Sequence, residues 1–274
     1  MAEFTAKDVQ RLRQATGAGM MDAKRALQES DGDSEAAARW LRERGLGKAA
    51  ERSDRENAEG AVAVATSPDG GAVAIVQLKS ETDFVAKSPQ FVALGSDELG
   101  ELLGQLVAAK GEDAVVSRQG AVVDRKVTLK EKIEVGRVVR FEAAPGDLLD
   151  TYLHVQNGRG VNGVLVELAG GSAELAHDVA VHIAFGQPAT LRRDEVPAAE
   201  VEAEREALTN QTRNEGKPEA ALPKIVEGKL GGWFKRVPGG VLLEQPYARD
   251  EKVTVQQLLG DASIVRFAQV LVGG

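Results

Sequence analysis

The sequence contains no cysteine. Disulfides, thiolate zinc sites, iron–sulfur clusters and cysteine nucleophiles are therefore excluded. Aromatic residues are scarce: seven Phe, two Trp and two Tyr. Long apolar runs are missing too, since none approaches the roughly 18–20 residues that a membrane span needs. The opening "MAEFTAKDVQ" has no basic segment followed by an apolar one, so no secretory signal is expected. Positive charge is in deficit. Lys and Arg number 34 against 42 Asp and Glu, a net charge of −8, which argues against the basic surface of a nucleic-acid binder. The expected setting is the cytoplasm.

Motifs for covalent chemistry are equally thin. There is no Walker A loop and no G-x-S-x-G elbow. G-x-G-x-x-G occurs at Gly158, Gly160 and Gly163, but a dinucleotide site needs it between a strand and a helix. Here the strand-like "VLVEL" follows, so the glycines read as part of a hairpin. His177 and His182 stand about 140° apart on a helix and cannot share a metal from one face. No catalytic residue, metal or cofactor is expected. The competing enzyme reading would put a small ligand in a cleft between two α/β halves.

What is present is a patterned α+β chain. Residues 5–45 read as three short helices. Thr5 and Asp8 make a capping-box-like start, and Val9 and Leu12 face inward. Gly17 and Gly19 break the first helix. Met20, Ala23 and Leu27 share a face of the second, and Gly45 ends the third. Residues 47–60 read as a partly helical linker. "AVAVAT", "SPDGG" and "AVAIVQL" then spell a β-hairpin. Ser88 caps a further helix with Pro89 at its first position, running on through "VALGSDELGELLGQLVAAK".

The chain also repeats itself. Residues 61–78 align without gaps on 151–168, and 126–141 on 252–267, so the second copy carries 36 extra residues. The excess falls on two charged helical stretches split by Gly216 and Pro218. Val201, Leu208, Leu222, Val226 and Trp233 follow helical spacing there, as expected of an antiparallel hairpin. The predicted division is a head (1–46), a linker (47–60), a first core half (61–145), a second core half (146–196 and 237–274) and a coiled-coil arm (197–236).

Two motifs are left over. In "LKSETDFVAK" a rare aromatic, Phe84, stands where a strand gives way to a capped helix, although Phe is normally buried. "TGAGMMDAKRAL" puts two methionines side by side; they point about 100° apart on a helix, so at least one is expected at the surface. Together these motifs resemble the bacterial elongation factor Ts family, the guanine-nucleotide exchange factors for elongation factor Tu. The resemblance covers nearly the whole length.

The resemblance implies a ubiquitin-associated-like head that docks on the G domain of elongation factor Tu through Arg13, Met20 and Met21. It implies that Thr82, Asp83, Phe84 and Val85 intrude beside the partner's magnesium and phosphates, with Asp83 and Phe84 as the intruding pair. His182 would be a contact histidine of the second half, with Asp178 one turn earlier placed to orient it or raise its pKa. Some members continue into a further helical module; after "VRFAQVLVGG" none follows here, so affinity is expected to rest on head, core and arm. The protein would bind elongation factor Tu in GDP-bound and nucleotide-free forms, and no nucleotide by itself. The alternative is a passive adaptor that binds without exchange.

Overall fold

The computed structural model describes residues 4–16, 18, 20–50, 57–92, 99–111, 129 and 131–273. Helices α1 (Ala6–Thr16), α2 (Met20–Glu29) and α3 (Ser34–Ala50) come first. Thr5 N donates to Asp8 Oδ2 at 2.9 Å and Asp8 N to Thr5 Oγ1 at 3.4 Å, the reciprocal cap that the sequence suggests. Val9, Leu12, Ala23, Ala26, Leu27 and Ala37 are buried between the helices, with Phe4, Trp40 and Leu41 packed on them. Met20 does not join that face. Gly45 does not end α3, which runs on to Ala50. A glycine inside a helix costs only about 1 kcal/mol relative to alanine, and no proline stops the chain there. The break assigned to Gly17 and Gly19, and residues 51–56 of the linker, lie outside the described residues.

The remainder is built on two matching sheets. Strands β1 (Glu59–Thr66), β2 (Ala72–Ser80) and β3 (Glu134–Glu142) form one, in that order and antiparallel. Strands β4 (Asp147–Gln156), β5 (Arg159–Ala169) and β8 (Ser263–Leu271) form the other in the same way. The two aligned hairpins, 61–78 and 151–168, thus occupy equivalent places; residues 126–128 and 130 of the second alignment lie outside the described residues. Strands β2 and β5 are buried on both faces, which explains their near-continuous apolar runs. Helices α4 (Asp83–Ala86), α5 (Pro89–Val92) and α6 (Leu99–Lys110) cover the first sheet around Phe91, Val107 and Leu78. Helices α7 (Ala173–Gly186) and α10 (Val255–Leu259) cover the second around Val166, Val179 and Ile183.

The inner faces share one core: Val62, Val73, Ile75 and Phe141 meet Leu165, Ala268 and Val270. Here the glycine motif finds its use. A Cβ at Gly160 would lie 2.1 Å from the Val62 carbonyl oxygen, and one at Gly163 would lie 2.7 Å from Val62 Cγ1. These glycines let β5 lie against β1. Asn157 and Gly158, with φ of 54° and 78°, make the two-residue turn between β4 and β5. A half-buried ion pair of the second half, Arg266 with Glu167, reaches across to the first. Arg266 Nε donates to Glu167 Oε2 at 2.5 Å, and its guanidinium lies 4.4 Å over the Phe141 ring. Ala144 N completes the carboxylate's shell at 3.1 Å.

Helices α8 (Ala198–Asn214) and α9 (Leu222–Phe234) form the hairpin, turning through Gly216, whose φ is 73°. Leu222, Val226, Leu230 and Phe234 are buried at successive four-residue steps, while Val201 and Leu208 are partly covered. The step therefore buries Phe234 and not the expected Trp233. The indole instead meets Phe234 edge-on at 5.0 Å, beneath the Arg236 guanidinium. A short hairpin of β6 (Pro246–Tyr247) and β7 (Asp250–Thr254) leads into α10.

Candidate partner-docking site

The tip after β2 is built by its caps. Thr82 is extended (φ −122°, ψ 152°), and its hydroxyl accepts from Val85 N at 3.3 Å. Helix α4 then lasts only four residues. Proline is the cause: Pro89 has no N–H to offer the Val85 carbonyl and clashes with a continuing helix. Ser88 takes that carbonyl instead, donating from its N at 3.0 Å and from its hydroxyl at 2.8 Å. The same hydroxyl accepts from Phe91 N at 3.2 Å, the cap expected for α5. In the second half Ser172 caps α7 in the equivalent place, accepting from Leu175 N at 3.1 Å, and that helix runs on for 14 residues.

Ala86 and Phe91 anchor this turn in the core, with relative exposures of 0% and 1%. Phe84, between the caps, is 84% exposed. Asp83 pairs with Lys87 at 2.7 Å, and this bond holds its carboxyl below the usual carboxylate range. Behind the tip stands Glu131, which sequence reasoning missed. Its Oε2 accepts from Glu81 N and Thr82 N, both at 3.2 Å, and its Oε1 accepts from the Thr82 hydroxyl at 2.5 Å. Glu81 answers by accepting from Lys132 N at 2.7 Å. Only the repeat hints at this residue: Glu131 aligns with Gln257, a capping residue that accepts from Thr254 N at 2.8 Å.

The other implied contact residues separate into two kinds. Met20 and Met21, at the start of α2, are 62% and 72% exposed, and Arg13 is exposed in the last turn of α1. His182 is different: the structure places its ring wholly inside. Ala248 N donates to Nδ1 at 3.2 Å, so the proton sits on Nε2, which donates to Gln245 Oε1 at 3.0 Å. Burial lowers the ring's pKa. Asp178 neither orients nor raises it, because Asp178 pairs with Arg249 at 2.6 Å. Gln245 Nε2 goes on to donate to the carbonyls of Gly186 (2.9 Å), Arg236 (3.1 Å) and Gly239. His182 thus knots α7 to the root of the helical hairpin and offers no surface of its own. Among the described residues no cluster of three metal-ligating side chains exists, and no helix is long and apolar enough to cross a membrane.

Comparison with known proteins decides the relationship. The family model described as elongation factor Ts matches residues 81–274. The chain belongs to the elongation factor Ts family. The match begins at Glu81, so it takes in the Phe84 tip, β3 of the first sheet, the whole second sheet and the helical hairpin. Full-length relatives extend the likeness to the first three helices and to β1 and β2. Elongation factor Ts of Clavibacter sepedonicus is 44% identical over 286 residues, covering all of both chains. That of Acidothermus cellulolyticus is 44% identical over 287 residues, covering all of this chain and 99% of its own. That of Leifsonia xyli subsp. xyli is 42% identical over 284 residues, again covering both chains fully.

Proposed function

We propose that this chain binds GDP-bound elongation factor Tu and promotes release of the nucleotide, so that GTP can take its place. Membership of the family makes it a translation elongation factor that makes or breaks no covalent bond. The observation that carries the exchange reading is the Phe84 ring, 84% exposed on a helical turn pinned at both ends. A large apolar group held rigidly in water gains nothing in the free fold but is the form of a buried interface anchor.

In this reading Phe84 enters beside the partner's magnesium and phosphate site. The cation and the phosphates of a bound nucleotide support each other, so a wedge that disturbs one weakens both. Asp83 brings a negative charge or an acceptor next to the disturbed site, and Thr82 and Val85 frame the turn. Linkage requires reciprocity: if the factor weakens GDP, GDP weakens the factor equally. Arg13, Met20 and Met21 dock on the G domain, where flexible thioethers suit an adaptable surface. His182 acts from within, setting the 245–248 segment against α7. The division into head, linker, two core halves and coiled-coil arm, at the boundaries given above, belongs to the same reading, as does a cytoplasmic setting.

The test is release of fluorescent GDP from elongation factor Tu with and without the chain. Acceleration by orders of magnitude is the expected result. A complex that forms without acceleration would make the chain a passive adaptor. Binding or hydrolysis of GTP by the chain alone would point to a small-ligand enzyme.

A further inference from the structure

We infer that Glu131 is a positioning residue for exchange: its carboxylate holds the Thr82–Asp83–Phe84 turn at the angle from which the ring enters the partner. The inference rests on the wedge reading of Phe84. The turn has two tethers. One is local, the pair of caps at Thr82 and Ser88, and it fixes the shape of α4. The other is remote and fixes where α4 points. Through it Glu131 accepts three hydrogen bonds from Glu81 and Thr82, the two residues that lead into the turn. The return bond from Lys132 N to Glu81 Oε1 closes the clasp. All of the bonds to the Glu131 carboxylate are charge-assisted, the stronger kind.

The repeat supplies a comparison within one molecule. Gln257, the counterpart of Glu131, turns back on its own helix and caps α10 through Thr254. The counterpart of Phe84 is Glu174, an exposed charge in the first turn of a long helix that its own packing orients. The half that carries an exposed ring has the clasp. The half that carries a solvated charge uses the same position for local capping. Helix α4 packs on the core over a single turn, through Ala86 and Val85, and Glu131 adds a hold from outside that turn.

The experiment compares Glu131→Ala, Glu131→Gln, Phe84→Ala and the double variant Glu131→Ala/Phe84→Ala. For each, release of fluorescent GDP is measured across a range of factor concentrations, alongside thermal unfolding of the free chain. Amide hydrogen exchange at Glu81 and Thr82 is followed in the free chain. Glu131→Ala is expected to lower the maximal release rate about tenfold, the scale of losing charge-assisted bonds. Half-saturation and thermal midpoint should change little, and exchange at the two amides should rise about tenfold. Glu131→Gln keeps an acceptor for both amides and a donor for the hydroxyl, so it should recover most of the rate. In the Phe84→Ala background, Glu131→Ala should have no further effect.

An unchanged maximal rate for Glu131→Ala, with Phe84→Ala strongly impaired, would overturn the positioning role and leave the wedge intact. Additive losses in the double variant would overturn it as well, by showing that Glu131 acts other than through the ring. If Phe84→Ala releases GDP at the parent rate, the wedge reading fails and the positioning role fails with it, even where faster amide exchange shows that the clasp exists.

Discussion

A phenyl ring that is 84% exposed contributes little to the free fold, so its removal separates interface from stability. Phe84→Ala is expected to cost about 2–4 kcal/mol of coupling to elongation factor Tu, much of it in the rate of GDP release. Unfolding of the free chain should shift by no more than about 0.5 kcal/mol. A variant that unfolds easily yet still drives release at the parent rate would make Phe84 a core residue. His182 makes the opposite case. Burial lowers its folded pKa below the ordinary 6.5, so the unfolded chain takes up a proton more readily than the folded one. Its contribution to stability is full above 6.5 and is lost as the pH falls below that value. Urea unfolding should therefore weaken between pH 7 and 5, and His182→Gln should flatten that fall; an unchanged slope would remove His182 as its source. The exposed ring was legible because "TDFV" breaks the strand pattern. The buried one was not, because Gln245 and Ala248, which enclose it, lie more than 60 residues away.

At the scale of elements, caps and turns were the most legible features. Thr5, Ser88 and Gly216 each act within a few residues of themselves, so sequence alone places them. Termination was harder: α3 runs through Gly45 because a glycine weakens a helix without stopping it, whereas Pro89 stops α4 outright. Side-chain choice at the root of the hairpin was harder still. Phe234 is buried because it meets Val241, and that contact depends on the chain's return. The root therefore belongs to the core, and the outer turns do not. Arg205 and Glu227 pair across the two helices, which marks a place where a short link can join them. Replacing the residues between Arg205 and Glu227 by a Gly-Ser loop should leave one cooperative urea transition, within about 1 kcal/mol of the parent, since loop length costs little. A broadened or lost transition would show that the arm and core unfold as one unit.

At the scale of the whole molecule, the halves are joined by apolar contact and by two arginines of the second half: Arg159 reaches Glu59 and the Gly60 carbonyl, and Arg266, paired with Glu167 of its own half, covers Phe141. The repeat predicted that the halves would match; it gave no sign of how they pack, because identical residues play different parts: Gly160 abuts Val62 whereas Gly70 meets nothing, and Arg266 covers Phe141 whereas Arg140 bonds Glu142 and the Ala108 carbonyl. Glu167 is 2% exposed, and Arg266 is its cationic partner. Arg266→Ala would leave the carboxylate buried without that partner and strip the cover from Phe141. Arg266 is 45% exposed, so water screens part of the loss, and the expected cost is about 1–3 kcal/mol in urea unfolding of the entire core. A loss confined to β8, seen as local amide exchange with the global midpoint unchanged, would mean that the pair does not bind the halves together.

The approach of β5 to β1 at Gly160 and Gly163 bears on the ancestry of the chain. A duplicated segment often survives as two beads that can be cut apart, recombined or lost singly. Here the second bead is shaped by the first: an added methyl group at Gly160 would strike the Val62 backbone, and one at Gly163 the Val62 side chain. A larger residue at Gly160 is barred by the other copy, so the two surfaces must change together. What began as repetition has become a single heritable unit.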